Sequence, residues 1–485
     1  MGGAVVTAPR KLRGWQDACL KVLTDECWPK KRRALVTATP GAGKTTLALT
    51  YAQDRIRVGE VDHVHVVAPT KALRRHWQDA AREFGINLTR RNNAKMRLAD
   101  LPFDVGGVVT TYAAVGREPD AHYAAIEGKK ALVILDEVHH AGDRRSWGDG
   151  IKEAFEGARF VLSLSGTPFR NDDTTISFLE YGPGGTTVAD YPYLYADAIR
   201  DDVCRPVIFK PYNALVEYKA KGEQFQSTFS DTMPDTQMSS LLRHALHPEA
   251  GLVEQMVKDA DDELSAIRSR GPRWQDAGGL LVAMSQAHAF ECAKVIREVT
   301  GEEPTVVVSD METAEDDLNA FKCGMGRWIV AVRMVSEGVD IPRLMVSVYA
   351  TNVISTLFFR QFVGRTVRVR HRGAEEVSSI FLPADERLCK EAADIEEDVK
   401  RFLKDAPPNL YKAVRAEADR AERRLYEVIP KITDIEAGEC TFRGERFTDA
   451  ELYNANAVRH LFPMGERLDP AQIAWTLRRL KKDAA

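Results

Sequence analysis

The chain contains no run of about 18 apolar residues, the length needed to cross a bilayer, so no membrane span is expected. It also lacks any Cys-x-x-Cys pair. Its seven cysteines (Cys19, Cys27, Cys204, Cys292, Cys323, Cys389 and Cys440) are odd in number and widely spaced. That pattern excludes a zinc ribbon and a disulfide framework and predicts thiols in a reducing compartment. An excess of positive charge is missing too. There are 67 Lys+Arg against 71 Asp+Glu, a net charge of −4 in 485 residues, which excludes binding to nucleic acid by bulk charge and leaves only local basic grooves. The first residues, MGGAVVTAPRKLRG, carry no apolar core of a secretion signal, and Val6 stands where a myristoylation pattern needs Ser or Thr. The expected address is cytoplasmic. A nuclear one stays open because of the PKKRR cluster at Pro29–Arg33, although the strand-like ALVTA that follows makes a solvated strand entrance the plainer reading of it.

What is present is an alternation of short apolar runs and amphipathic stretches. Strands are predicted at Arg33–Thr39, Val61–Ala68, Val105–Thr111, Ala131–Asp136, Arg159–Ser165 and Pro206–Lys210, with helices such as Thr45–Arg57 and Lys71–Phe84 between them. Val-, Leu- and Ile-rich runs of this length suit strands buried on both faces, and repeated βαβ units imply a parallel, doubly wound sheet. The alternation restarts at Gly278, with strands at Leu280–Ser285, Thr305–Ser309, Trp328–Val332, Met345–Ala350 and Ser379–Leu382. The expected organisation is therefore a first α/β domain over 1–212, a mainly helical bridging segment over 213–276, a second α/β domain over 277–390 and a helical accessory region over 391–485. Near the end, Asp469, Pro470 and Gln472 open a predicted helix whose one face carries Ile473, Leu477 and Leu480.

The first chemistry is in Ala38–Thr46, ATPGAGKTT, between a predicted strand and a predicted helix. Gly41 and Gly43 can take positive φ and let backbone N–H groups approach phosphate oxygens. Lys44 reaches the β- and γ-phosphates, and the Thr45 hydroxyl is a Mg²⁺ ligand. The nucleotide cradle is thus Thr39, Pro40, Gly41, Ala42, Gly43, Lys44, Thr45 and Thr46. Ala38 stands where the general pattern has its first Gly, which removes no catalytic atom. About 90 residues on, ALVILDEVHH delivers Asp136 and Glu137 to a strand tip. Asp136 is assigned to the metal and Glu137 to the general base that activates water. His139 and His140 lack a third metal ligand nearby and are given hydrogen-bonding roles.

In chain order, LRGWQ (Leu12–Gln16), ATPGAGKTT, APTKALRRHW (Ala68–Trp77), VVTTY (Val108–Tyr112), DEVH (Asp136–His139), SLSGTPFR (Ser163–Arg170), LLVAMSQAHA (Leu280–Ala289), RMVSEGVDIP (Arg333–Pro342) and QFVGRTVR (Gln361–Arg368) are similar to the motifs of the superfamily 2 helicases. The likeness is to the DEAD/DEAH-like branch close to the type III restriction Res subunit and XPB-type motors, over roughly residues 12–384. It implies two tandem RecA-like P-loop domains with ATP and Mg²⁺ in the cleft between them. It makes Gln16 the adenine contact, Arg368 the arginine finger, Arg365 its phosphate-sensing neighbour, and Gln361 the partner of His139. Gly338 and Asp340 would face the nucleotide, with Asp340 on the ribose. Ser165 and Thr167 would couple hydrolysis to domain movement. Pro69, Thr70, Thr110, Thr111 and Ser336 would touch a nucleic-acid strand through contacts that hold register without reading sequence. Arg365 and Arg368, three apart, fall on one helix face.

DEVH in place of DEAD disfavours the RNA-remodelling group, and no nuclease constellation accompanies the motor. The resemblance therefore implies a helicase or translocase acting on single-stranded or forked DNA. The alternatives are RNA as the substrate, or a motor subunit that recruits a protein partner through its C-terminal helices in a restriction, defence or replication complex.

Overall fold

The computed structural model describes residues 11–90, 106–142, 145–166, 176–220, 223–229, 231, 233–308, 311, 313–332, 341–371 and 376–403, with short pieces at 414–415, 427–428, 440–442 and 445–447. Two sheets organise it. The first holds β1 (Arg33–Ala38), β2 (His63–Ala68), β3 (Leu88–Thr89), β4 (Gly107–Thr111), β5 (Ala131–Leu135) and β6 (Phe160–Ser165), while β7 (Glu180–Tyr181) and β8 (Thr187–Val188) form a small hairpin beside it. A last strand, β9 (Tyr191–Tyr193), gives the order β3-β4-β2-β5-β6-β1-β9, parallel throughout. Strict alternation along the strands explains their composition. Val36, Val66, Val109, Ile134 and Leu164 pack on one face. Leu35, Val67, Val133, Leu135 and Val161 pack on the other. Both faces are covered, so the strands read as unbroken apolar runs.

The second sheet holds β10 (Val207–Ala220), β11 (Glu223–Thr228), β12 (Gly278–Ala283), β13 (Thr305–Val307), β14 (Trp328–Ala331), β15 (Leu344–Ala350) and β16 (Ser378–Pro383), in the order β11-β10-β16-β15-β12-β14-β13. Its pairings are parallel except β10 with β11. The tandem pair of α/β sheets agrees with the expected fold class.

Two boundaries and the content of one segment differ from expectation. The run Pro206–Lys210, read as a strand of the first domain, is the start of β10 and pairs with β16 from Val207↔Ser378 to Tyr212↔Pro383. A boundary at 212 thus falls inside a strand, because pattern identifies a strand but not the sheet it joins. The 213–276 stretch contributes most of β10 and the antiparallel β11 before its helices Asp235–Ala245 and Leu252–Arg268. The latter buries Leu252, Met256, Ala260 and Leu264 at four-residue spacing. A boundary at 390 falls within the helix Glu386–Leu403. Leu388, Ala392, Ile395 and Val399 are buried on that helix, Glu391 pairs with Arg360 at 2.8 Å, and the helix also packs on Tyr195–Arg200, so a cut at 390 divides one packed element. Beyond this helix the described pieces are a helical fragment at 414–415 and short strands: β17 (Glu427–Val428), which pairs with β10, and the hairpin β18 (Cys440–Phe442) and β19 (Glu445–Phe447). The predicted helix at Asp469–Leu480 lies outside the described residues. Among the described residues no helix is long and apolar enough to cross a membrane.

Candidate ATP site

All strands of the first sheet run the same way, so the ends of β1, β2, β4, β5 and β6 share one edge. The loops leaving that edge carry the predicted chemistry, as in open parallel sheets generally. After β1, Gly41 and Gly43 take φ of +83° and +96°. Gly43 is the N-cap of helix Lys44–Arg57, which leaves the first N–H groups of that helix without a side-chain cap.

The loop is held from behind by the segment preceding β1. Arg13 Nη1 donates to the carbonyls of Gly41 (2.9 Å) and Ala42 (2.7 Å). Trp15 Nε1 donates to Ala42 O at 3.2 Å and Gln16 Nε2 to Gly43 O at 2.9 Å. In a trans peptide the C=O of one residue and the N–H of the next point opposite ways. Holding the Ala42 and Gly43 carbonyls therefore turns the N–H groups of Gly43 and Lys44 to the other side, free to face an anion. Gln16, predicted to meet adenine, is buried, and its Oε1 accepts the Arg13 N–H at 2.8 Å. The structure places it as a brace of the phosphate loop.

Lys44 Nζ lies 3.0 Å from Glu137 Oε1 and donates to Ala38 O at 3.1 Å. The Gly166 N–H donates to Glu137 Oε2 at 2.9 Å. Glu137 has φ +47°, a left-handed backbone that costs a non-glycine residue roughly 1–2 kcal/mol and is typical of functional positions. Burial by itself would raise the Glu137 carboxyl pKa. The Lys44 ammonium, with His139 and the Gly166 N–H, outweighs it and holds the group ionised, below the usual carboxylate range. Asp136 goes the other way. Burial and the neighbouring Glu137 charge push its pKa up, against the opposing pull of Trp77 and Lys44. Two adjacent carboxyls thus differ in kind, one kept ionised beside a lysine and the other buried at the tip of β5.

Asp136 is braced by two residues that the sequence reading gave no role. Trp77 Nε1 donates to Asp136 Oδ2 at 2.7 Å, and the Tyr112 hydroxyl donates to Asp136 O at 2.9 Å. Trp77 lies on helix Lys71–Glu83, which Thr70 caps through its hydroxyl at 3.3 Å from the Leu73 N–H. A buried Trp needs an acceptor for its N–H, which is the only signal the sequence offered.

The second domain reaches this loop. Gln361 Nε2 lies 3.2 Å from His139 Nε2, the pairing the motifs implied. Gly364 packs on Pro40 so closely that a Cβ there would sit 2.5 Å from Pro40 Cγ. A Cβ at Gly41 would lie 2.8 Å from Arg368 Nε, so the Arg368 guanidinium rests on the phosphate loop. Arg365 is buried in the last turn of helix Thr356–Thr366. Arg368 lies past the end of that helix, in a two-residue β-bridge with Cys204, so the expectation of one shared helix face does not hold. Beside the loop a cavity of about 720 Å³ is lined by Arg13, Trp15, Tyr191, Tyr193 and Arg200 among others, with Trp15 stacked on Tyr193 at 4.6 Å.

The remaining predicted residues divide. Thr39 is buried, while Pro40, Thr45 and Thr46 are partly exposed along the loop and first helical turn. Ser165 is buried at the end of β6. Pro69 and Thr70 are partly exposed after β2. Thr110 is fully buried within β4, and Thr111 nearly so, which removes the Thr110 side chain from any direct contact with a nucleic acid. Thr167, Ser336, Gly338 and Asp340 lie outside the described residues. Among the described residues no group of three or more His, Cys, Asp or Glu could hold a metal ion by itself. Thr45 and Asp136 offer hard oxygen donors, the donor chemistry that suits Mg²⁺ shared with phosphate oxygens.

Known proteins resemble this chain in sequence and in fold. Residues 10–170 match the family model described as "Type III restriction enzyme, res subunit". The chain is 40% identical over 391 residues to an uncharacterized protein of Mycobacterium tuberculosis (strain CDC 1551 / Oshkosh), covering 79% of this chain and 63% of that relative. It thus spans less than two thirds of the mycobacterial relative's length. It is 23% identical over 421 residues to a protein of Sulfurisphaera tokodaii described as DNA 3'-5' translocase XPB2, covering 78% of this chain and 84% of that one. Among solved structures, the ATP-dependent Type ISP restriction-modification enzyme LlaBIII bound to DNA superposes with a TM-score of 0.52 at 13% identity, over 94% of this chain and 34% of that chain.

Proposed function

We propose that the chain is a superfamily 2 helicase-type protein of the Res branch, a reading supported by the family model matched over residues 10–170, and that it hydrolyses ATP between its two domains to move along DNA. The observation that carries the reading is the meeting of both domains on one loop: Lys44 with Glu137 from the first, Gln361 and Arg368 from the second.

In this reading the N–H groups of Gly43 and Lys44 and the Lys44 ammonium receive the phosphates. Phosphate oxygens compete for Lys44, releasing Glu137 from its present ion pair to orient and deprotonate the attacking water. Mg²⁺, held by Thr45 and Asp136, would supply charge neutralisation on the phosphates. Arg368, supplied across the cleft, stabilises charge on the transferring group, a contribution worth roughly 10³–10⁵ in rate for arginine fingers. The base and ribose are placed by Trp15 and the cavity beside it. A nucleic-acid strand crosses the edge carrying Pro69, Thr70 and the backbone at Thr111. Helix Lys71–Glu83 then links that edge to Asp136 through Trp77.

ATP turnover tests the proposal, measured alone, with single-stranded DNA and with RNA at matched salt, since such affinities shift steeply with ionic strength. Stimulation by DNA is expected, and a greater stimulation by RNA would reassign the substrate. Turnover unmoved by either nucleic acid would sink the motor reading. Strand displacement on 3′-tailed, 5′-tailed and forked duplexes then separates unwinding from movement alone.

A further inference from the structure

Arg205 stands where the chain leaves the first domain for the second, and it is buried to 1% exposure. Its guanidinium has a partner in every direction. Nη1 meets Glu376 Oε2 at 2.7 Å and also faces Met345 Sδ. Nε donates to Thr366 O at 3.0 Å, and Nη2 donates to Pro342 O at 3.0 Å and to Leu344 O. Glu376, equally buried, spends its remaining capacity on the backbone just past Arg368, accepting the Arg370 N–H at 3.1 Å and the His371 N–H at 2.9 Å.

The backbone repeats the connection. The Arg205 N–H donates to Val367 O at 2.7 Å, and the Val369 N–H donates to Val203 O at 3.3 Å, which makes Cys204 and Arg368 a β-bridge. Arg368 is therefore clamped between two anchored peptides, both tied to the interdomain connection. That connection is in turn held at the first domain's edge. The Tyr195 hydroxyl donates to Arg205 O at 2.6 Å, and the Tyr193 hydroxyl of β9 donates to Asp201 at 2.9 Å.

We infer that Arg205 is a positioning residue for Arg368. Through Thr366 O and Glu376 it fixes the peptide that lays the Arg368 guanidinium on Gly41, so the path of the interdomain connection sets the finger's reach. The inference rests on the ATPase reading of the site. A single planar fork is needed for the job: Lys has no bidentate geometry and cannot serve Thr366, Pro342, Leu344 and Glu376 together.

The test uses the full chain in two variants, R205K and R205M/E376M. Replacing both members avoids leaving one buried charge alone, but the backbone groups at Thr366, Pro342, Leu344, Arg370 and His371 lose their partners, so nucleotide affinity is the control that separates fold from function. Expected is a nucleotide affinity within about twofold and a kcat at least roughly 10-fold lower, since loss of an interaction made only in the transition state lowers kcat with little change in KM. R205K should lose kcat as well, although it keeps the charge. In parallel, hydrogen exchange at the Val369 amide should speed up in both variants. If kcat is retained, or if kcat and affinity fall together, Arg205 is merely structural and the inference is overturned. If the unaltered chain turns over no ATP, the ATPase reading fails, and the Val369 amide then decides. Unchanged protection in both variants overturns the positioning role, and faster exchange confined to that segment upholds it.

Discussion

Gln361 of the second domain and His139 of the first meet at 3.2 Å between Nε2 atoms. With the Gln361 amide donating, His139 Nε2 is the acceptor, and the ring proton falls on Nδ1, which lies 3.8 Å from Glu137 Oε2. A side chain of one domain therefore touches a histidine beside Glu137 of the other. Because the two residues act as one link, Gln361→Ala, His139→Ala and the pair together should lower nucleic-acid-stimulated ATP turnover to a similar extent. A double-mutant cycle should return a coupling of about 0.5–3 kcal/mol, as contacting residues do. Additive losses would show that the contact carries no coupling.

The difference between Asp136 and Glu137 predicts separable losses. Glu137→Gln removes the base while keeping size, and should bind nucleotide yet hydrolyse it about 10²–10⁴-fold more slowly. Lys44→Ala strips the phosphates of their cation and leaves Glu137 without its 3.0 Å partner, so nucleotide binding and turnover should both be lost. Arg368→Ala should cost hydrolysis far more than binding. Isothermal titration beside steady-state kinetics distinguishes the three, and normal turnover in Glu137→Gln would refute the assignment of the base.

Trp77 Nε1 donates a hydrogen bond to the Asp136 carboxylate at 2.7 Å. Trp77→Phe keeps the ring and removes the N–H, which lets the Asp136 pKa rise further and weakens its hold on a cation. Loss of such outer partners typically costs about 10-fold or more in metal affinity. The Mg²⁺ concentration for half-maximal ATP turnover should rise accordingly. An unchanged Mg²⁺ titration would reduce Trp77 to packing.

Away from the site, His63 and His65 of β2 and His122 of helix Pro119–Ile126 form a buried group, with His122 Nδ1 at 3.2 Å from His65 Nε2. Burial holds His63 and His122 down to about 4 and His65 well below its ordinary value. The unfolded chain therefore binds more protons than the folded one once the pH drops below about 6.5. Stability should be level above that pH and fall progressively from about 6.5 toward 4. Thermal melts across this window test the sign. His122→Gln should flatten the slope, and a melting temperature that rises on acidification would contradict it.

Much of the site was legible in the chain. ATPGAGKTT, DEVH and QFVGRTVR carry Lys44, Glu137 and Gln361 in a fixed local context, and local context is what a motif encodes. Trp77, Arg13 and Arg205 were not legible, because a tryptophan in a helix or an arginine in a connection looks the same whether it faces solvent or a buried carboxylate. Gln16 was visible as a residue of interest, yet its observed bond to Gly43 depends on how two segments 27 residues apart come together. The Thr110 side chain shows the opposite case, since its motif suggested exposure and its place inside β4 buries it.

The sequence by itself determined the central strands of both sheets, the phosphate loop and the two acids after β5, since these follow from periodicity and from spacing along a few residues. Only the tertiary structure decided that β10 joins the second sheet, that β3, β9 and β11 extend the sheet edges, that helix Glu386–Leu403 packs as one element across the expected boundary at 390, and that Arg368 lies on Gly41 beside a connection pinned by Arg205 and Glu376. Those outcomes depend on contacts between residues far apart in the chain, where hydrogen bonding and burial select one partner among many that the local pattern allows.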